Sequence, residues 1–164
     1  MKNLVFFGSL RSKRLLHAVL ERNIDDLKFN KGIIHNCILL RVKNENFPFA
    51  RFTNNLTDKS ECLYVNGLRY SDFEKILFYE SIEYELKNIE IIVNKKIIKS
   101  NFFSLKLDHS TNELWSYESW LKKHEKLSIK AAIKWMSLFD QYKDQPGIAE
   151  KYWQKMLNQA KDEI

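Results

Sequence analysis

A carboxylate set among apolar and aromatic residues is costly, and the run Leu77-Phe78-Tyr79-Glu80-Ser81-Ile82-Glu83-Tyr84 places Glu80 in that setting, after a short helical pattern and before a strand. Desolvation raises a carboxyl pKa toward the range useful to a general base. About seventy residues earlier, Phe7-Gly8-Ser9-Leu10-Arg11 passes from an apolar strand pattern into a helical one without a linker. Gly8 lets the backbone turn tightly there and bring the amides of Ser9, Leu10 and Arg11 to a ligand near a helix start, where a carboxylate or an oxyanion is held. Both features have plainer readings. Gly8 can serve only a strand-to-helix turn, and Glu80 can be a surface acid like Glu83 and Glu85 beside it.

Other chemistries lack their markers. His17, His35, His109 and His124 are scattered, and neither Cys37 nor Cys62 lies at a ligand spacing from another Cys or His, so no metal is expected. Gly8-Ser9 has no flanking glycines of a nucleophile elbow, and the Gly-Lys-Ser/Thr of a phosphate loop is absent. Two cysteines make no disulfide framework. Together with an N-terminus free of a secretory pattern and apolar runs too short to span a bilayer, they point to the cytoplasm and to no membrane partner.

The elements that must position these residues follow from periodicity. Residues 2–7 read as a strand, and Leu15, Leu16, Val19 and Leu20 recur at helical spacing from Ser12 to Arg22. Gly32 to Val42 reads as a strand, and a loop follows with Asn44, Asn46, Pro48, Asn54 and Asn55. Glu61 to Arg69 is a further strand. Ser71-Asp72-Phe73-Glu74 has a capping-box pattern opening a short helix that turns Phe73, Ile76 and Leu77 inward. Tyr84–Val93 and Ile97–Leu107 form a hairpin joined near Asn94-Lys95. From Trp115 the pattern is helical, broken at Pro146-Gly147, with a last helix from about Ile148 to Lys161. The expectation is one domain over 1–164, with a strand-rich body over 1–108 and a helical extension over 109–164 packed on it.

The net charge of +6 is uneven, because residues 1–51 hold 10 Lys and Arg against 4 acids, whereas residues 52–100 hold 7 against 8. No run is dense enough for a basic tail, so a solvated face is favoured over a nucleic-acid interface. Trp115, Trp120, Trp135 and Trp153 fit a packed core better than an exposed interaction patch.

Taken together, Phe7-Gly8-Ser9-Leu10 and Tyr79-Glu80-Ser81-Ile82-Glu83-Tyr84 resemble two motifs of the gamma-glutamylcyclotransferase family, in its AIG2-like branch. The first matches a Tyr-Gly-Ser/Thr-Leu loop and the second a Phe-Glu-Gly-x-x-Tyr segment carrying the catalytic glutamate. Phe47-Pro48-Phe49-Ala50 resembles the family's loop between strands, and the likeness spans roughly residues 3–107. Phe7 lacks the loop tyrosine's hydroxyl, and Ser81 stands where the family has glycine. The resemblance implies an α+β fold with a small, partly closed β-barrel flanked by helices. It implies a lyase- or acyltransfer-type enzyme that cyclises a gamma-glutamyl amine or amino acid to 5-oxoproline without a cofactor. Glu80 would be the acid/base, and Phe7, Gly8, Ser9, Leu10, Arg11 and Tyr84 would bind the small-molecule substrate. The alternative on the same fold is a binder that has lost turnover.

Overall fold

The computed structural model describes residues 3–164, so Lys2, the first residue of the expected opening strand, lies outside the described residues. Two antiparallel sheets make up the body. The larger, in the order β1-β5-β2-β6-β7, comprises β1 (Asn3–Phe6), β2 (Lys28–His35), β5 (Lys59–Asn66), β6 (Tyr84–Val93) and β7 (Lys96–Leu105). The smaller is β4-β3-β8, from β3 (Cys37–Val42), β4 (Pro48–Phe52) and β8 (Ser110–Leu114). In the larger sheet the two end strands meet without pairing as a ladder, and the Ser100 hydroxyl of β7 donates to Asn3 Oδ1 of β1 at 2.6 Å. The barrel is thus partly closed, and its open seam is bridged by side chains.

Three expectations shift, each for a local reason. The strand expected over Gly32–Val42 is two strands in different sheets, broken at Asn36, which takes φ 54. Asparagine is among the few residues that tolerate this left-handed conformation. The expected loop after it contains β4, whose Pro48 begins the strand, where a missing N–H costs no ladder bond. The helical extension expected from residue 109 begins with a strand instead, because β8 pairs with β3 through Leu40–Leu114 and Val42–Ser110. The β6–β7 hairpin turns through Asn94 and Lys95 at φ 50 and 66, the signature of a tight hairpin turn with both central residues left-handed.

Helices cover one side of the larger sheet. α1 (Lys13–Leu20) starts at Ser12, whose hydroxyl oxygen accepts the Leu15 amide at 3.1 Å and whose hydroxyl donates to Glu125 at 2.7 Å. The cap therefore also ties α1 to α4 (Glu125–Met136). α2 (Tyr70–Glu80) buries Ile76 and Phe78, while Leu77, expected inward, is 46% exposed. Its N-terminus is capped by Asp72 and not by the Ser71/Glu74 pair: Asp72 accepts the Arg69 amide at 2.9 Å and both arms of the Arg22 guanidinium at 2.7 and 2.6 Å. Burial alone would raise the Asp72 carboxyl, but these bonds hold it below the usual carboxylate range. After β8 the chain continues as α3 (Tyr117–Lys123), α4, α5 (Phe139–Tyr142), α6 (Pro146–Ala149), a 3₁₀ turn and α7 (Trp153–Asp162). Trp120 and Trp135 are buried in the core that joins these helices to α1, α2 and the sheet. Among the described residues no helix is long and apolar enough to cross a membrane.

Candidate active site

β1 ends at Phe6, and Phe7 continues into the core, its ring edge-on to Phe102 at 5.6 Å. A 3₁₀ turn over Ser9–Arg11 follows. Gly8 sits there with φ −106, so a left-handed turn is not what glycine provides. It provides room: a Cβ would meet Pro48 Cδ at 3.2 Å, and the bare backbone lets β4 close over the turn. The Arg11 amide donates to the Gly8 carbonyl at 3.1 Å and the Ser12 amide to the Ser9 carbonyl at 3.0 Å. The amides of Ser9 and Leu10 are the two left for a ligand, not the three expected.

Phe7, Gly8, Ser9, Leu10, Glu80 and Tyr84 are brought together around a small inner chamber of about 40 Å³, which Phe47 and Pro48 also line. Arg11 is not among them. Its guanidinium lies over the Tyr117 ring at 4.1 Å and pairs with Glu61 at 3.2 Å, facing away from the chamber.

Glu80 is the last residue of α2. Two contacts fix this end: the Trp135 indole donates to the Phe78 carbonyl at 3.4 Å while stacking on the Phe78 ring at 5.2 Å, and the Ser81 amide donates to the Leu77 carbonyl at 3.0 Å. These satisfy carbonyls that a helix C-terminus otherwise leaves open. Among the described residues the Glu80 carboxyl has no ion pair and no hydrogen bond, and burial pushes its pKa up to about 8. The neighbouring phenols follow the same cause. Burial, and then the Glu80 charge, raise Tyr79 and Tyr84 above the usual tyrosine value, with the nearby Ser9 hydroxyl opposing this at Tyr79.

Ser81 takes φ 72 and ψ −177, a backbone region populated almost solely by glycine. The chain keeps a glycine conformation without the glycine. Ser81→Gly should therefore stabilise the fold by about 1–3 kcal/mol, read as a higher urea midpoint at unchanged slope, whereas Ser81→Ala should give no such gain.

Beyond the inner chamber lies a cavity of about 440 Å³, within the size range of small-molecule sites. Ser9, Phe47, Glu80 and Tyr84 line both spaces, so Glu80 stands at their junction. The outer wall adds Tyr79, Glu45, Glu83 and, from the C-terminal helices, Trp120, Trp135, His124, Glu150 and Trp153. Sequence reasoning passed over these because they come from separate segments. The acids carry no local mark of being gathered, and the tryptophans read as core, which two of them also are. Among the described residues no group of three or more His, Cys, Asp or Glu side chains is arranged to hold a metal ion.

No protein-family model matches the sequence, and no curated protein matches it. Solved structures do resemble it. A gamma-glutamyl cyclotransferase superposes with a TM-score of 0.53 at 12% identity, covering 94% of this chain and 98% of that one. A protein from Arabidopsis thaliana gives 0.59 at 16% identity over 85% and 84% of the two chains. An uncharacterized protein from Pyrococcus horikoshii gives 0.51 at 18% over 76% and 97%. These likenesses show the fold: two antiparallel sheets with flanking helices, arranged as in gamma-glutamyl cyclotransferase.

Proposed function

We propose that this chain, built on the gamma-glutamyl cyclotransferase-like fold, cyclises a gamma-glutamyl compound to 5-oxoproline and releases its amine, with Glu80 as base and then acid. The observation that carries the reading is an unpaired, desolvated carboxyl at the junction of a tight chamber and a larger cavity.

The chemistry needs two proton movements. The substrate's α-ammonium must lose a proton before its nitrogen can attack the γ-carbonyl, and the departing nitrogen must gain one as its bond to the γ-carbon breaks. A carboxylate with a pKa of about 8 is matched to an α-ammonium of about 8, so it can take the first proton and return it without a deep energy well in either direction. The Ser9 and Leu10 amides would hold the substrate carboxylate or the developing oxyanion. Because nucleophile and electrophile belong to one molecule, the chamber mainly has to fold the glutamyl chain, and such oriented reactions reach effective molarities of roughly 10⁵–10⁸ M. Phe7 stands where the resemblance would place a loop tyrosine; Tyr84 borders both spaces and Tyr79 the larger one, so phenols remain near Glu80.

The test is release of 5-oxoproline from a panel of gamma-glutamyl amines and amino acids. Turnover should depend on pH in a defined way: kcat/KM rises tenfold per unit on the acid side as Glu80 deprotonates, peaks near 8, and falls above it as the substrate ammonium loses the proton that the departing nitrogen needs. A profile already flat by pH 6 would remove Glu80 as the base, and inactivity over the whole panel would leave the fold as a binder.

A further inference from the structure

We infer that the amine released is itself a cation, an alkyl diamine or a similar group with a second ammonium, seated in the outer cavity. This rests on the cyclotransferase reading for the acyl half and adds the chemistry of the other half.

The chain carries 27 Lys and Arg against 21 Asp and Glu, yet among the described residues no Lys or Arg lines the cavity, whereas Glu45, Glu80, Glu83 and Glu150 do. Among the described residues the one ionisable nitrogen on this wall is that of His124, and burial, then Lys123, hold its pKa below the ordinary value. Several acids outside the cavity are neutralised: Glu61, Glu113, Asp72, Asp108 and Glu163 each pair with an arginine or lysine. Among the described residues Glu45, Glu83 and Glu150 pair with none, although they come from three separate segments, the β3–β4 loop, the α2–β6 connection and the 3₁₀ turn before α7. Burial and the Glu83 charge even raise the Glu45 carboxyl, the mark of an acid short of a counter-ion.

A second observation does not depend on these acids. Tyr84 lines the same space, and its desolvated hydroxyl has no hydrogen-bond partner among the described residues. With the substrate's α-carboxylate held at the Ser9 and Leu10 amides and its γ-carbonyl beside Glu80, whatever is attached to the γ-carbonyl extends past Glu80 toward Trp153 and the three outer glutamates. Trp153 remains 39% exposed there, edge-on to Trp135 at 5.5 Å, and offers an aromatic face to a cation. A leaving amino acid would instead bring its own carboxylate against Glu45, Glu83 and Glu150, a like-charge contact.

The experiment compares three gamma-glutamyl conjugates of similar length, those of diaminobutane, pentylamine and aminobutanoate, which end in a cation, a methyl group and an anion. At low ionic strength kcat/KM should fall in that order, with the cation ahead of the anion by roughly tenfold or more, and added salt should compress the series. Replacing both Glu83→Gln and Glu150→Gln should narrow the ratio. Equal or better turnover of the neutral or anionic conjugate would overturn the inference while leaving the cyclotransferase reading in place. If no conjugate yields 5-oxoproline, that reading fails, and calorimetric binding of the same three compounds decides the cavity's preference alone. Tighter binding of the diaminobutane conjugate would sustain the cation site, and equal binding would end it.

Discussion

Glu80→Gln is expected to lower kcat/KM for 5-oxoproline release by about 10²–10⁴-fold, the usual worth of a positioned general base, in a protein that is still folded. The same variant should be more stable than wild type in alkaline solution. The Glu80 pKa is raised from 4.5 to about 8, so between those pH values the folded chain keeps a proton that the unfolded chain has released. Wild-type stability should therefore decline as pH rises through this window and level off above it. Glutamine has no such proton to lose. At about 1.4 kcal/mol per pKa unit, the gain of Glu80→Gln at pH 9 should reach roughly 3–5 kcal/mol and vanish near pH 5. Urea titrations of both proteins at the two pH values read it directly. Lost activity with no pH-dependent difference in stability would mean that Glu80 is not desolvated in the free protein.

Asp72→Ala should be the most damaging single truncation at the other end of the same helix, at about 3–5 kcal/mol. Asp72 is 1% exposed and accepts bonds from Arg22 and from the Arg69 amide, so its removal strands a half-buried guanidinium and uncaps α2. The pH sign is opposite to that of Glu80. With its folded pKa held below 3.8, Asp72 contributes stability that is present above that value and lost as pH falls through the folded one. Thermal melts of Asp72→Ala, Arg22→Ala and the double variant separate the two contributions. A double variant more stable than Asp72→Ala alone is expected, because it no longer buries an unpaired charge.

How much of this was legible in the chain depends on how local each signal was. β1, α1, the β6–β7 hairpin and α2 announce themselves by periodicity and by turn or capping residues within a few positions. Glu80 could be singled out because its apolar neighbours are also its neighbours in sequence. β8 could not, since Ser110–Leu114 has no alternation to bury a face and is a strand only because β3 offers it an edge. The break at Asn36 was hidden for the converse reason: apolar residues run on both sides of it, though they enter different sheets. Arg11 is expected to offer its amide to a ligand because it follows the glycine turn, and nothing local in the chain shows where amide and side chain go. The fold uses the first inside the turn and the second against Glu61 and Tyr117. The outer glutamates are meaningful only once three distant segments converge.

The Trp135 contact with the Phe78 carbonyl makes the acid strength of Glu80 depend on chain far from it in sequence. Residues 78 and 135 are 57 positions apart, and the walls around Glu80 draw on chain from Ser9 to Leu157. Contacts so distant in sequence exist only when the chain between them is folded back. Without α4 and α7 docked, Glu80 would lie at the frayed end of a helix in water, an ordinary glutamate fully ionised at neutral pH. Its basicity is thus a property of the assembled helices and not of the sheet or of α2 alone.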